Sequence, residues 1–176
     1  MNNKPCLYIF SGLPGSGKTT LCRMLARERH AVYLRIDSIE QGLRDLCSFK
    51  VEGEGYRLTY RVATDNLMVG NSVIADSCNP IKLTRDEWEE IAKACDCRFV
   101  NIEVHCSSPE VHQKRIETRQ SDIVNLRLPN WKDVQKRDYE SWDRERITID
   151  TANRSPEQSF HELIDKITKI ENWPNK

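Results

Sequence analysis

A three-layer α/β fold, a parallel sheet with helices on both faces, is predicted from three observations. Short apolar or alternating runs recur along the 176 residues, and each is followed by a stretch with helical spacing. Capping and turn residues separate the two kinds of segment. The first apolar run leads straight into Gly12-Leu13-Pro14-Gly15-Ser16-Gly17-Lys18-Thr19, which fits G-x-x-x-x-G-K-[ST], the phosphate-binding loop (P-loop).

The loop needs these residue types for physical reasons. Glycines let successive backbone N–H groups turn inward and form an anion nest. Lys18 reaches the β- and γ-phosphates as a mobile point charge, and the Thr19 hydroxyl suits a Mg²⁺ bridging the same phosphates. The following helix aims its positive end at them. The setting is the required one. Cys6 to Phe10 reads as a buried strand, and Leu21, Met24 and Leu25 carry helical spacing after the loop.

Taken in order, Ala31 to Asp37 is predicted as a second strand with Asp37 at its carboxyl end, where ligands bind in open α/β sheets. A helix follows from Ser38. Residues 48–55 carry two glycines and no period, and are predicted as a mobile loop. Tyr56 to Met68 is a helix, and Ser72 to Asp76 a third strand ending in a second carboxylate. Ser77 to Pro80 is a loop. Thr84-Arg85-Asp86-Glu87 reads as a capping box opening a helix through Ala94. Arg98 to Cys106 is a fourth strand. Ser107-Ser108-Pro109-Glu110 starts a helix that carries Arg115 and Arg119 at i, i+4. Residues 121–137 look like an insertion, a small lid holding Arg127, and Trp131 to Trp142 reads as a further helix. Ile147 to Asp150 is the last strand. Ser155-Pro156-Glu157 caps a final helix marked by Phe160, Leu163, Ile164, Ile167 and Ile170. One domain spanning 1–176 is expected.

Composition narrows the function. Hydrophobic residues make up 38% and charged residues 31%, with zero formal net charge, so no overall basic field attracts nucleic acid. No apolar run is long enough for a membrane span, and Met1 to Pro5 lacks a secretory signal pattern, so a cytoplasmic location is expected. The seven cysteines have no framework spacing and are expected as free thiols, and the four histidines show no ligand spacing and receive no role.

Phosphoryl transfer needs cradled phosphates, Mg²⁺, a positioned acceptor and positive charge at the γ-phosphoryl. Asp37 is the candidate base for an acceptor hydroxyl. Asp76 is assigned either to the Mg²⁺ shell or to the acceptor. Arg115, Arg119 and Arg127 are candidates to close on the transferring group through their planar forks.

The phosphate loop, the strand ending Arg35-Ile36-Asp37, the segment Ile74-Ala75-Asp76-Ser77-Cys78-Asn79, the helix Arg115-Ile116-Glu117-Thr118-Arg119 and Ile149-Asp150-Thr151 resemble, in that order, the small P-loop kinases. These include chloramphenicol phosphotransferase, zeta toxin and the kinase domain of phage polynucleotide kinase. The resemblance implies a P-loop NTPase fold like that of nucleoside monophosphate kinases, five parallel strands in the order 2-3-1-4-5. It implies ATP (or GTP) as donor with Mg²⁺. It makes Asp37 the catalytic base; Lys18 and Arg119 are expected, from their own chemistry, to stabilise the transferred group. It places Asp76 and Asn79 near the acceptor, Arg119 in the lid, and Asn153 and Arg154 near the nucleotide base. Thr20 joins the cofactor-binding set. Polynucleotide kinases pair the base with a nearby arginine, and here the nearest candidate is Arg44.

The expected protein is thus an ATP-dependent kinase of a small-molecule hydroxyl, as monomer or homodimer. The alternatives are a polynucleotide 5′-hydroxyl kinase, a toxin kinase acting on a sugar nucleotide, and a non-catalytic nucleotide sensor. The chain lacks the N-K-x-D guanine motif, which argues against a GTPase switch.

Overall fold

A computed structural model describes residues 4–172. Five parallel strands form one sheet: β1 (Cys6–Ser11), β2 (Val32–Arg35), β3 (Val73–Asp76), β4 (Arg98–His105) and β5 (Ile147–Asp150). Their spatial order is β2-β3-β1-β4-β5, as the resemblance implies. The helices are α1 (Lys18–Arg29), α2 (Ile36–Cys47), α3 (Glu54–Met68), α4 (Lys82–Ala94), α5 (Pro109–Thr118), α6 (Trp131–Gln135) and α7 (Pro156–Glu171).

The period-2 alternation of the strands divides the core in two. Tyr8, Phe10, Ile74, Ile102 and Ile149 point to one face, where Leu21 and Leu25 of α1 and Leu163 and Ile167 of α7 cover them. Leu7, Ile9, Val73 and Ala75 point to the other, under Ala63 and Leu67 of α3 and Trp88 and Ala92 of α4. Each fully buried side chain of this size stabilises the fold by about 1.5–3 kcal/mol. β1 is central and buried along its whole length, so the loop after it stands on the covered middle of the sheet. Its register puts Phe10 beside Asp76 of β3 and Ser11 beside Glu103 of β4.

Four local expectations are corrected. β2 stops at Arg35 and the chain turns into α2 at once, with Ile36 buried as its anchor, so Asp37 lies in the first helical turn and not on the strand. α3 begins at Glu54, inside the segment expected as loop. α4 begins at Lys82, ahead of the proposed capping box. Thr84 Oγ1 donates to Ile81 O, and the Lys82 N–H is capped by Glu140 from a distant segment. The helix expected over Trp131–Trp142 ends at Gln135. Beyond it, Tyr139, Glu140 and Trp142 are drawn onto Arg85. This guanidinium is fully buried, stacks on Trp142 at 4.2 Å, and donates to the carbonyls of Asn79, Pro80, Glu140 and Ser141. The caps of α5 (Ser108) and α7 (Ser155, with Gln158 in a capping box) form where expected.

Candidate active site

The loop from Gly12 to Thr19 joins β1 to α1, and its glycines are demanded by geometry. Gly12 has φ +136°, and a Cβ there would lie 2.0 Å from Val104 O. Gly15 has φ +80°, and a Cβ would strike Ile116 Cδ1 at 2.6 Å. The loop is pinned from outside by three contacts. The Gly12 N–H donates to Cys78 O at 3.0 Å. Thr151 Oγ1 donates to Ser16 O at 2.8 Å. His112 Nε2 donates to Pro14 O at 2.7 Å. Because a trans peptide sets C=O and N–H in opposite directions, holding the Pro14 carbonyl fixes the aim of the Gly15 N–H.

A cavity of about 650 Å³ opens at this loop. Pro14, Gly15, Gly17, Lys18, Thr19 and Thr20 line it, and so do Asp37, Arg44, Arg115, Arg119 and Arg127. Sequence elements far apart therefore meet at one place. Lys18 is buried at 7% exposure, and its Nζ donates to Leu13 O at 3.2 Å. Asp37 is exposed, 4.0 Å from Arg35 Nε. Arg44 pairs with Glu40 at 3.2 Å on α2.

The two arginines of α5 behave differently. Arg115 uses both forks on Thr151, 2.7 Å to its hydroxyl and 2.7 Å to its carbonyl, so it braces the loop through Thr151 and Ser16. Arg119 is the C-cap residue of α5, and its Nε and Nη2 are buried without a partner among the described residues. Burial lowers its pKa, and Arg35 and Arg137 push the same way against the opposing pull of Asp37. Neither arginine pairs with Asp122. That carboxylate is taken by Arg23 and Arg35, whose hydrogen bonds hold it well below the usual carboxylate range.

Other predicted residues fall elsewhere. Asp76 is buried behind the loop, outside the cavity lining, and accepts from the Tyr33 hydroxyl at 2.7 Å. Asn79 is fully buried with φ +43°, its amide donating to Phe10 O at 2.9 Å, so it shapes the loop after β3 and does not face the cavity. Arg154 lines a second cavity of about 340 Å³ with Gly17, Thr20, Leu21, Arg115 and Pro156, held there by Glu162 and Gln158 O. Asn153 is exposed at φ +54° and lines neither cavity.

The residues present fit a nucleoside triphosphate. The glycine cradle leaves no room for a Cβ at Gly12 or Gly15, Ser16 Oγ is buried and unpartnered among the described residues, and α1 begins at Lys18. Sequence reasoning missed His112 and gave Thr151 no role. His112 is a lone histidine on a helix with no spacing signal, and only the fold brings it to Pro14. Trp131 of α6 packs edge-on against it with centroids 5.2 Å apart.

Residues 7–140, more than half of the chain, match the family model AAA_33, described as AAA domain. The chain belongs to this family of P-loop kinases. Among curated relatives, it is 29% identical to the L-seryl-tRNA(Sec) kinase of Methanococcus maripaludis over 180 residues, covering 93% of this chain and 65% of that protein. It is 29% identical to the adenylyl-sulfate kinase of Shewanella oneidensis over 183 residues, covering 95% and 83%. It spans only 27% of a further relative, the bifunctional enzyme NodQ of Rhizobium sp.. The fold matches the APS kinase of Mycobacterium tuberculosis, solved in complex with AMPPNP and APS (TM-score 0.71, 17% identity, 94% and 99% covered). It also matches a gluconokinase from Sinorhizobium meliloti (TM-score 0.69, 14% identity, 96% and 94% covered). These two likenesses are of fold. No helix among the described residues is long and apolar enough to cross a membrane.

Proposed function

We propose that the protein is an ATP-dependent kinase that transfers the γ-phosphoryl group to a hydroxyl of a small molecule. The observation that carries this is convergence. Lys18, Asp37 and Arg119, whose Nε and Nη2 have no partner among the described residues, come from three separate elements and face one cavity at the mouth of the phosphate loop. The kinase names of the relatives point the same way.

The nucleotide supplies the phosphoryl group, and Mg²⁺ would neutralise its charge; Thr19 in the cavity lining and Asp76 at the end of β3, both hard oxygen donors, would hold it. This chain's residues do the rest. The loop N–H groups and Lys18 orient the donor phosphates. Arg119 contributes unsatisfied donors where charge develops, which is worth most in a half-desolvated site. Asp37, exposed and free of strong pairing, accepts the proton of the acceptor hydroxyl. The second cavity, beside Thr20 and Arg154, receives the nucleotide base. The motif resemblance to chloramphenicol phosphotransferase, zeta toxin and phage polynucleotide kinase supports the same chemistry on different hydroxyls. A second reading, a hydroxyl carried on RNA, is favoured by the L-seryl-tRNA(Sec) kinase relative and disfavoured by zero net charge.

The test is transfer of labelled γ-phosphate from ATP·Mg²⁺ to sugars, nucleosides, hydroxylated antibiotics and 5′-hydroxyl oligonucleotides. Label on one class, abolished by Lys18→Ala in a folded variant, is the expected result. Undiminished transfer by Lys18→Ala would remove the phosphate loop from the mechanism.

A further inference from the structure

Asp76 is only 4% exposed, and its neighbours fix how it stands. It closes β3 beside Arg35 of β2 and Phe10 of β1. Ile74, two residues earlier, faces α1 and α7, so the period-2 alternation turns Asp76 to the same face. There Cys22 of α1 is fully buried beside it. Burial raises the pKa of this thiol, and the Asp76 charge raises it further. Thr19 precedes Cys22 by three residues on α1, so it lies on the same side of the helix and nearer the loop. Protein-bound Mg²⁺ keeps several of its waters, so a carboxylate set back from the cavity wall, with Thr19 ahead of it, suits that ion.

Tyr33 of β2 is in register with Ile74, and its hydroxyl reaches along the strands to donate to Asp76 Oδ2 at 2.7 Å. Its ring packs against the core, which restricts the hydroxyl. The other side of this oxygen is set as well. Arg23 of α1 lies close enough for the two groups to interact. A cation there draws the oxygen's lone pairs, so the hydroxyl proton points to the carboxylate. Arg23 is itself held by Asp122 of the lid. The bond at Oδ2 fixes the rotation of the carboxylate and leaves Oδ1 for a further ligand.

Resting on the kinase reading and its Mg²⁺ assignment above, we infer that Tyr33 is a positioning residue: its hydroxyl holds the Asp76 carboxylate in the orientation that receives the metal of the bound nucleotide. Tyr33 itself lines neither cavity, so it acts through Asp76 and not by touching nucleotide or acceptor. Losing the hydrogen-bond partner behind a metal ligand typically weakens metal binding by roughly 10- to 100-fold. Tyr33→Phe keeps the ring in the core and removes only this bond. The carboxylate then has to be ordered by the metal that it binds.

The test is isothermal titration of AMPPNP into the full chain, once in EDTA and once in saturating Mg²⁺. The ratio of the two affinities reads the metal's contribution. Tyr33→Phe should weaken binding in Mg²⁺ by roughly tenfold, while the affinity in EDTA stays within about twofold of wild type. In an Asp76→Asn background the same substitution should cost nothing more, because both changes act through one carboxylate. Equal losses in the two media would make Tyr33 a general support of the fold and overturn the proposal. An unchanged ratio in Tyr33→Phe, or additive losses in the double variant, would overturn it too. A full Mg²⁺ gain in Asp76→Asn alone would sink the metal assignment of Asp76, and the proposal with it. Failure of AMPPNP to bind in either medium would sink the kinase reading on which both rest.

Discussion

At the scale of single residues, Asp37 and His112 show how position and chemistry separate. Asp37 was legible because an acidic residue just past a strand faces the ligand side of an open sheet. Its element was not legible, because nothing in Arg35-Ile36-Asp37 says that the strand ends two residues early; the burial of Ile36 decides it. The glycines were legible, since the motif encodes backbone conformations that only glycine adopts freely. Asn79 was misplaced, because a polar residue after a strand reads as ligand-facing until its amide is seen on Phe10 O. His112 was invisible, a partner to Pro14 only through the packing of α5 on the loop. Its removal should be felt at the phosphates. His112→Phe keeps a ring against Trp131 but leaves the Pro14 carbonyl unpaired, costing about 1–2 kcal/mol. The expected outcome is nucleotide affinity weakened by roughly five- to thirtyfold in isothermal titration. A His112→Gln variant, which retains a donor, should recover part of it, and equal loss in both would make the ring, not the hydrogen bond, the important part.

The elements divide in the same way. α1, α5 and α7 carry local start signals, and they begin close to where the sequence places them. α4 and the segment after α6 do not, because their structure is set by each other. Arg85 reads from sequence as part of a capping box. In the fold it is a buried cation held by four carbonyls and by the faces of Tyr139 and Trp142. Arg144 adds pairs to Asp86 and Glu89 on the same helix. The segment that closes the lid is thereby fastened to α4, while residues 120–129 are tied to the other side of the cavity through Asp122, held by Arg23 and Arg35. Arg85→Ala would strand four carbonyls and two aromatic faces, a loss of about 3 kcal/mol or more. Urea unfolding should show it. A change under about 1 kcal/mol would mean that the clamp is redundant.

For the whole molecule, the alternation of strands and helices was enough to predict a parallel sheet covered on both faces, since short parallel connections admit few alternatives. The strand order came only with the family resemblance, and the sheet has that order. Zero net charge over the chain conceals a strongly basic cavity, so composition alone understated the electrostatics of the site. Acid stability also belongs to this scale. Burial would raise the pKa of Asp150, but bonds from the Ser107 hydroxyl and the Ala152 and Ser107 N–H groups outweigh it and bring the value down to about 2. A depressed folded-state pKa contributes stability that is fully present above the unfolded value, about 3.9, and is lost as pH falls through 2. The melting temperature should therefore drop between these limits, and Asp150→Asn should flatten part of that drop. An Asp150→Asn profile that parallels wild type would show that this carboxylate is not among the groups responsible.

The central claim is the proposal that Asp37 serves the acceptor proton and takes no part in holding the donor. The most direct measurement sets turnover of Asp37→Asn beside its affinity for AMPPNP·Mg²⁺. Turnover is expected to fall by roughly 10²–10⁴, as for a lost general base, with affinity within about twofold of wild type. Unchanged turnover, or affinity that falls in step with turnover, would contradict the assignment and return Asp37 to a helical residue at the cavity rim.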